Sequence, residues 1–197
     1  IIENNLSPNA VDAVIPIAKR LPVITEYFIH GKAYIAKSVY ENLSHYGLTE
    51  SHVRYILNSR TPVENFWEKM QKSHAILENI NLIFRDMDLR KQVWAELRAL
   101  GLCSVTASTP ENIEITSPLA TKAKALETLC ALLGIEAEHV LAMGDSDNDL
   151  PMLEFAGIGV AMANGEAHIK AAADMIAEDC NHFGAAKILE QLLKERA

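Results

Sequence analysis

Long apolar runs are missing from this sequence, and so is any cluster of Lys or Arg. A membrane-spanning helix needs about 18 consecutive apolar residues, and the chain does not open with a basic stretch followed by an apolar one, so neither an anchor nor a secretory leader is expected. Eighteen Lys and Arg against 26 Asp and Glu give a formal net charge of -8. That balance lacks the concentrated positive field of a nucleic-acid binder. Membrane and nucleic acid are both excluded as expected partners. Cysteine is scarce as well: Cys103, Cys130 and Cys180 are odd in number, far apart and in no metal-ligand spacing, which suits reduced thiols packing in a cytoplasmic protein. What remains is ordinary globular material, 49% hydrophobic and 22% charged over 197 residues, enough to bury a core in one large domain or two small ones.

The chain changes texture near its middle. Ser7-Pro8 is a cap residue before a first-turn proline, and Val11, Val14, Ile15 and Ala18 recur with helical period, with Pro16 as a point of kinking or shortening. Thr25–Ile29 and Lys32–Ala36 are β-prone runs joined by His30-Gly31, the pattern of a two-residue hairpin. Helices are predicted over Ser38–Tyr46, Pro62–Leu77 and Asp88–Leu100, and strands over Ile80–Phe84, Leu102–Ala107 and Asn112–Thr116. From Thr121 a regular alternation follows: helix to Leu133, strand His139–Met143, helix Asn148–Phe155, strand Ile158–Met162, helix Glu166–Ala172, strand Asp174–Ala177, and a final helix from Gly184. Such alternation predicts a parallel α/β sheet. The domain boundary is placed where Pro110 and Pro118 bracket the change, giving an α+β domain over residues 1–110 and an α/β domain over residues 111–197.

Chemistry concentrates in Gly144-Asp145-Ser146-Asp147-Asn148-Asp149, between a strand and a helix. In an open parallel sheet, ligands bind at the carboxyl ends of the strands. Carboxylates packed this closely repel one another unless a cation joins them, and hard oxygen ligands favour Mg²⁺. The plain alternative is a solvated acidic turn capping the next helix. A calcium loop fits the first three acidic positions but fails at Leu150, where glycine is needed, and at Ala156, where a bidentate Glu is needed. Lys122, at the start of its helix, is a compact charge able to neutralise a phosphate at the same strand ends, or simply an exposed helix lysine. Lys124 points away from it. Gly157–Gly165 carries no complete dinucleotide fingerprint and reads as a buried strand with a tight turn.

Taken together these segments resemble the Cof-type phosphatases of the haloacid dehalogenase superfamily. Glu114-Ile115, Lys122, the loop from Gly144 through Met152, and Gly159-Val160-Ala161-Met162-Ala163-Asn164 follow that family's order, and Lys170, Ala173-Asp174, Asn181 and Gly184 continue it. Ala123 and Gly165 are small departures that remove no functional side chain. The resemblance implies a Rossmann-like core whose C-terminal half is residues 111–197, and it makes residues 1–110 the α+β cap inserted before the lysine.

In that family an Asp-x-Asp-Gly-Thr aspartate attacks phosphorus, and a Ser or Thr elsewhere holds the phosphate; neither precedes the cap here. The resemblance thus implies a Mg²⁺-dependent phosphatase of a small phosphorylated metabolite, working through an aspartyl-phosphate, with this polypeptide inactive alone. By the same analogy Asp145 is a metal ligand and Asp149 a near-shell ligand or the group that orients Lys122. Lys122 and Asn148 hold the phosphate, and Asp147 lies outside the first shell. A mutase passing the phosphoryl group to a sugar, and a non-catalytic metal- or partner-binding module, stay open beside it. Tyr27, Tyr34 and His30 either line the substrate site or pack. The strand His139–Met143 is expected to present an unpaired edge through which copies could associate.

Overall fold

The computed structural model describes residues 3–195, and its contacts divide the chain into two compact units, Ile1–Ala120 and Thr121–Ala197. Asn112–Thr116, assigned above to the second domain, is hydrogen-bonded into the sheet of the first unit. No helix among the described residues is long and apolar enough to cross a membrane.

In the first unit, helix α1 (Pro8–Lys19) starts where the Ser7 side chain accepts from the Ala10 N–H, with proline in the first turn. Its buried stripe is Val11, Val14, Ile15 and Ala18, and it continues through the exposed Pro16 to Lys19. Strands β1 (Ile24–Ile29) and β2 (Lys32–Ala36) pair antiparallel with Ile29 opposite Lys32. His30 and Gly31 both have positive φ, 49° and 70°, the requirement of the turn whose twist matches a hairpin. Helix α2 (Lys37–Tyr40), a 3₁₀ turn over Leu43–Tyr46 and helix α3 (Glu50–Ser59) follow. Next come β3 (Arg60–Val63), α4 (Phe66–Lys72), β4 (Asn79–Ile83), α5 (Met87–Ala99), β5 (Ser104–Thr106) and β6 (Asn112–Thr116). The sheet order is β3-β2-β1-β4-β6-β5, with only β2 and β3 parallel.

One sheet face is apolar apart from the buried Thr25. Tyr27, Ile80, Leu82, Ile113 and Ile115 are buried there with Val14 of α1, Met70 of α4 and Val93 of α5. Each such side chain contributes about 1.5–3 kcal/mol by leaving water. Tyr27 stacks on Tyr34 at 5.1 Å and packs on Phe66 at 5.0 Å, while His30 is exposed at the turn. Tyr27 and Tyr34 are therefore packing residues. On the other face Ile24 and Ile35 meet Leu43 and Ile56, and Glu26, Asn81, Asn112 and Glu114 stand among further apolar residues such as Phe28 and Ile83.

Two predicted helices are borne out only in part. Ser38–Tyr46 is broken at Glu41-Asn42, and Gly47 takes a left-handed φ of 57°. Pro62–Leu77 loses its first residues to β3, where Ala33 opposes Arg60 and Ile35 opposes Pro62; a proline is tolerated on an edge strand because it owes no ladder hydrogen bond there. Helix α3 has no counterpart in the predicted elements, although Thr49 caps it and Val53, Ile56 and Leu57 recur at helical spacing; only Ile56 of these is fully buried.

In the second unit, α6 (Lys122–Leu133) is capped by the Thr121 hydroxyl and ends at Gly134, φ 66°. Strand β7 (Leu141–Gly144), α7 (Leu150–Phe155), β8 (Ile158–Met162), α8 (Ala167–Ala172), β9 (Met175–Ala177) and α9 (Gly184–Glu195) complete it. The strands are parallel in the order β7-β8-β9. Ala161 packs with Leu126, Leu153 and Ile169, and Val160 with Ile188 and Leu192, so β8 is covered on both faces as a parallel strand requires. Among the described residues β7 pairs only with β8. Cys130 is buried and Cys103 half-buried, but Cys180 is exposed, so the packing role expected for all three fails at Cys180.

Candidate functional site

Strand β7 ends at Gly144, and the chain turns through residues 145–149 before α7. The turn closes on Asp149, which is 4% exposed. Its Oδ2 accepts from the backbone N–H of Asp145 (3.0 Å) and of Ser146 (3.2 Å), and its Oδ1 pairs with Lys122 Nζ. Gly144 makes this possible, since a Cβ there would lie 2.3 Å from Asp149 Cβ. Burial opposes ionisation of Asp149, but the Lys122 ammonium and the two N–H groups outweigh it and hold the carboxyl below the ordinary aspartate range. Lys122 is itself half exposed. An ammonium has three donors, so the contact with Asp149 leaves two for a phosphate.

Asp145 sits on the accessible side of the same turn. Its Oδ1 accepts from Ser146 Oγ (3.0 Å) and its Oδ2 from Asn164 Nδ2 (2.9 Å). The segment carrying Asn164 is drawn against the turn because Gly165 has no side chain; a Cβ there would be 3.0 Å from the Asp145 carbonyl oxygen. Asp147 is turned outward to His168, at 2.6 Å. The Oδ1 of Asn148 is buried with no hydrogen-bond partner. Of the other motif residues, Asp174 accepts from the Gly159 N–H at 2.7 Å and Lys170 donates to the Ala163 carbonyl at 3.2 Å, which are structural roles.

The turn thus gathers Lys122, Asp149 and Asp145, and leaves Asp147 aside. Among the described residues no three His, Cys, Asp or Glu groups could hold a metal together. Mg²⁺ does not need three: it is commonly bound by one or two carboxylates plus waters and phosphate oxygens. Asp145 carries one donated hydrogen bond on each carboxylate oxygen and keeps further acceptor capacity, and the orphaned Asn148 oxygen is a second hard donor atom. The residues present therefore fit that cation. Asp149, with both oxygens engaged, fits the role of orienting Lys122. The sequence reading assigned no role to Ser146 or Asn164, which hold Asp145 in place. Asn164 stood within the quoted motif; Ser146 carries no signal by type.

The profile of the haloacid dehalogenase-like hydrolase family matches residues 1–189. A 5-amino-6-(5-phospho-D-ribitylamino)uracil phosphatase of Bacillus subtilis is 41% identical over 104 residues, covering 53% of this chain and 42% of its own. A phosphoglycolate phosphatase of Methanosarcina acetivorans is 41% identical over 153 residues, covering 71% of this chain and 67% of its own. The chain thus spans about two fifths of one relative and two thirds of the other. A solved haloacid dehalogenase-like hydrolase from B. subtilis superposes with a TM-score of 0.78 at 23% identity, over 95% of this chain and 72% of that one; this likeness speaks for the fold.

Proposed function

The chain belongs to the haloacid dehalogenase-like hydrolase family, and from that premise we propose that the intact protein is a Mg²⁺-dependent phosphatase of a small phosphate monoester. The relatives named above act on esters with quite different leaving groups, and the phosphate is what those substrates share. The second unit supplies part of the catalytic core and the first unit acts as its cap.

The observation that carries this reading is the Lys122–Asp149 pair at the end of β7, with Asp145 one turn of chain away. Asp149 holds the ammonium in place, and Lys122 binds and neutralises phosphoryl oxygens as charge grows on them. Asn148 adds an amide donor to the phosphate, and Asp145, braced by Ser146 and Asn164, would hold the metal with Asp149 behind it. When bound, Mg²⁺ supplies further neutralisation of the transferring oxygens. The attacking carboxylate is not among these residues, since no Asp-x-Asp-Gly-Thr occurs in the 197. In the intact protein that carboxylate forms a bond to phosphorus as the ester oxygen leaves with a proton, and water then cleaves the acyl phosphate.

The test is turnover of a panel of phosphate esters by the full-length protein and by this polypeptide. Metal-dependent hydrolysis by the first, abolished by chelation, with none by the second, is expected. Hydrolysis by the 197 residues alone, lost on Asp145→Ala, would refute the assignment of the nucleophile. Transfer to a sugar instead of water would make the protein a mutase.

A further inference from the structure

The two aspartates of the carboxylate turn are held in different ways. Asp149 is paired with a cation, Lys122, so its charge is met within the protein. Among the described residues the side chain of Asp145 is held by neutral donors alone, Ser146 Oγ on Oδ1 (3.0 Å) and Asn164 Nδ2 on Oδ2 (2.9 Å). A neutral donor fixes the plane of a carboxylate and leaves its charge for a bound cation, whereas an ammonium in the same place would repel that cation.

The two braces on Asp145 are not equivalent. Ser146 is the next residue and moves with the turn, so it cannot fix Asp145 relative to the sheet. Asn164 comes from the connection between β8 and α8, 19 positions away, and that connection is itself pinned. The Gly165 N–H donates to the Met162 carbonyl (2.9 Å), closing a tight turn that contains Asn164. The Ala163 N–H donates to the Ala177 carbonyl of β9 (2.9 Å), and the Ala163 carbonyl accepts from Lys170 Nζ of α8 (3.2 Å). Helix α8 is anchored in the core by Ile169, 0% exposed. Both main-chain groups of the residue before Asn164 are thus engaged, one by β9 and the other by α8. His168, also on α8, reaches the same turn at the outward-facing Asp147 instead.

We propose that Asn164 is the positioning residue that orients Asp145 toward a divalent cation, and that Lys170 acts through Asn164 by holding the Ala163 carbonyl. The inference rests on the assignment of Asp145 as metal ligand above. Partners that orient a metal ligand in this way are worth about 10–100-fold in metal affinity.

The experiment is titration of the intact protein with Mn²⁺ alone, without substrate, the free ion being read by electron paramagnetic resonance. Asn164→Leu, similar in size and without the donor, is expected to weaken binding about 10–100-fold. Lys170→Met is the sharper test, because the sign separates two accounts. Deleting a positive charge from the unit would by Coulomb's law tighten a cation, whereas releasing the Ala163 carbonyl weakens it. Weakening is expected, smaller than in Asn164→Leu, and the double variant is expected to bind no worse than Asn164→Leu, since Lys170 then has nothing to position. His168→Ala is expected to bind like the parent. Amide exchange at Val160 and Ala161 checks that β8 is intact in each variant. Asn164→Leu binding like the parent, Lys170→Met binding unchanged or more tightly, losses that add in the double variant, or an equal loss in His168→Ala would each overturn the proposal. Asp145→Ala binding Mn²⁺ like the parent would remove the metal assignment itself, while a loss in Asp145→Ala with none in Asn164→Leu would remove only the role given to Asn164 and Lys170.

Discussion

Replacing Asp149 tests the local architecture of the site without any substrate. In Asp149→Asn, the amide oxygen can still accept from the N–H groups of Asp145 and Ser146, which leaves the NH₂ facing the Lys122 ammonium. Two charge-assisted hydrogen bonds become neutral ones, a loss of about 0.5–1 kcal/mol each. The ion pair is lost too, worth at most about 1 kcal/mol because Lys122 is half exposed. The sum is about 1–3 kcal/mol, and Asp149→Ala, which strands both N–H groups, costs about 3–5 kcal/mol. Both Trp residues, Trp67 and Trp94, lie in the first unit, so tryptophan fluorescence cannot report this loss and serves as a control. The assay is amide exchange at Ala142, Met143 and Val160, read against pH. Because the folded carboxyl is held low, its contribution is present above the unfolded value of about 3.9 and is lost as pH falls through the folded one. The difference between the parent protein and the Asp149→Asn variant should therefore shrink in acid. A penalty below about 0.5 kcal/mol, within the range of ordinary surface changes, or one that persists in strong acid, would refute the lock.

Three further outcomes follow from the same geometry. In the intact protein Lys122→Ala should lower turnover by several orders of magnitude with the fold preserved, while Lys124→Ala, whose Nζ is paired with Glu127 at 2.7 Å, should do little; equal losses in steady-state kinetics would place the lysine motif in the wrong register. Asp145→Ala should abolish metal-dependent turnover and Asp147→Ala, on a side chain facing His168, should leave most of it; matching losses would refute the assignment of Asp145 as the metal ligand. The side of β7 that pairs with no strand among the described residues should make this polypeptide self-associate, and a monomer by light scattering, with β7 amides as protected as those of β8, would contradict that.

The hairpin at His30-Gly31, the α5 helix and the alternation after Thr121 were legible because each is written locally, in turn residues, caps and period. The carboxylate turn was legible for the same reason, since its residues are contiguous and follow a strand. Strand β3 was not: Arg60-Thr61-Pro62-Val63 has no strand period of its own and pairs because Ala33–Ala36 lie alongside and Glu26 receives Arg60. Cys180 misled because residue type predicts average burial, whereas its place in a 3₁₀ turn leaves it in water.

By itself the sequence indicated the order of elements in the second unit and marked Lys122, Asp145, Asn148 and Asp149 as candidates, because strand, turn and helix signals there span only a few residues each. Tertiary structure alone decided what Asp149 does. Its two oxygens are consumed by Lys122, 27 positions away, and by the turn's own N–H groups, a division of lone pairs that residue type and spacing do not encode. The same holds for the polar network on the first unit's sheet. Asn81, Asn112 and Glu114 look in sequence like the solvated side of two amphipathic strands, and only the register of β1, β4 and β6, with Arg60 brought in from β3, joins them to Glu26 as one network.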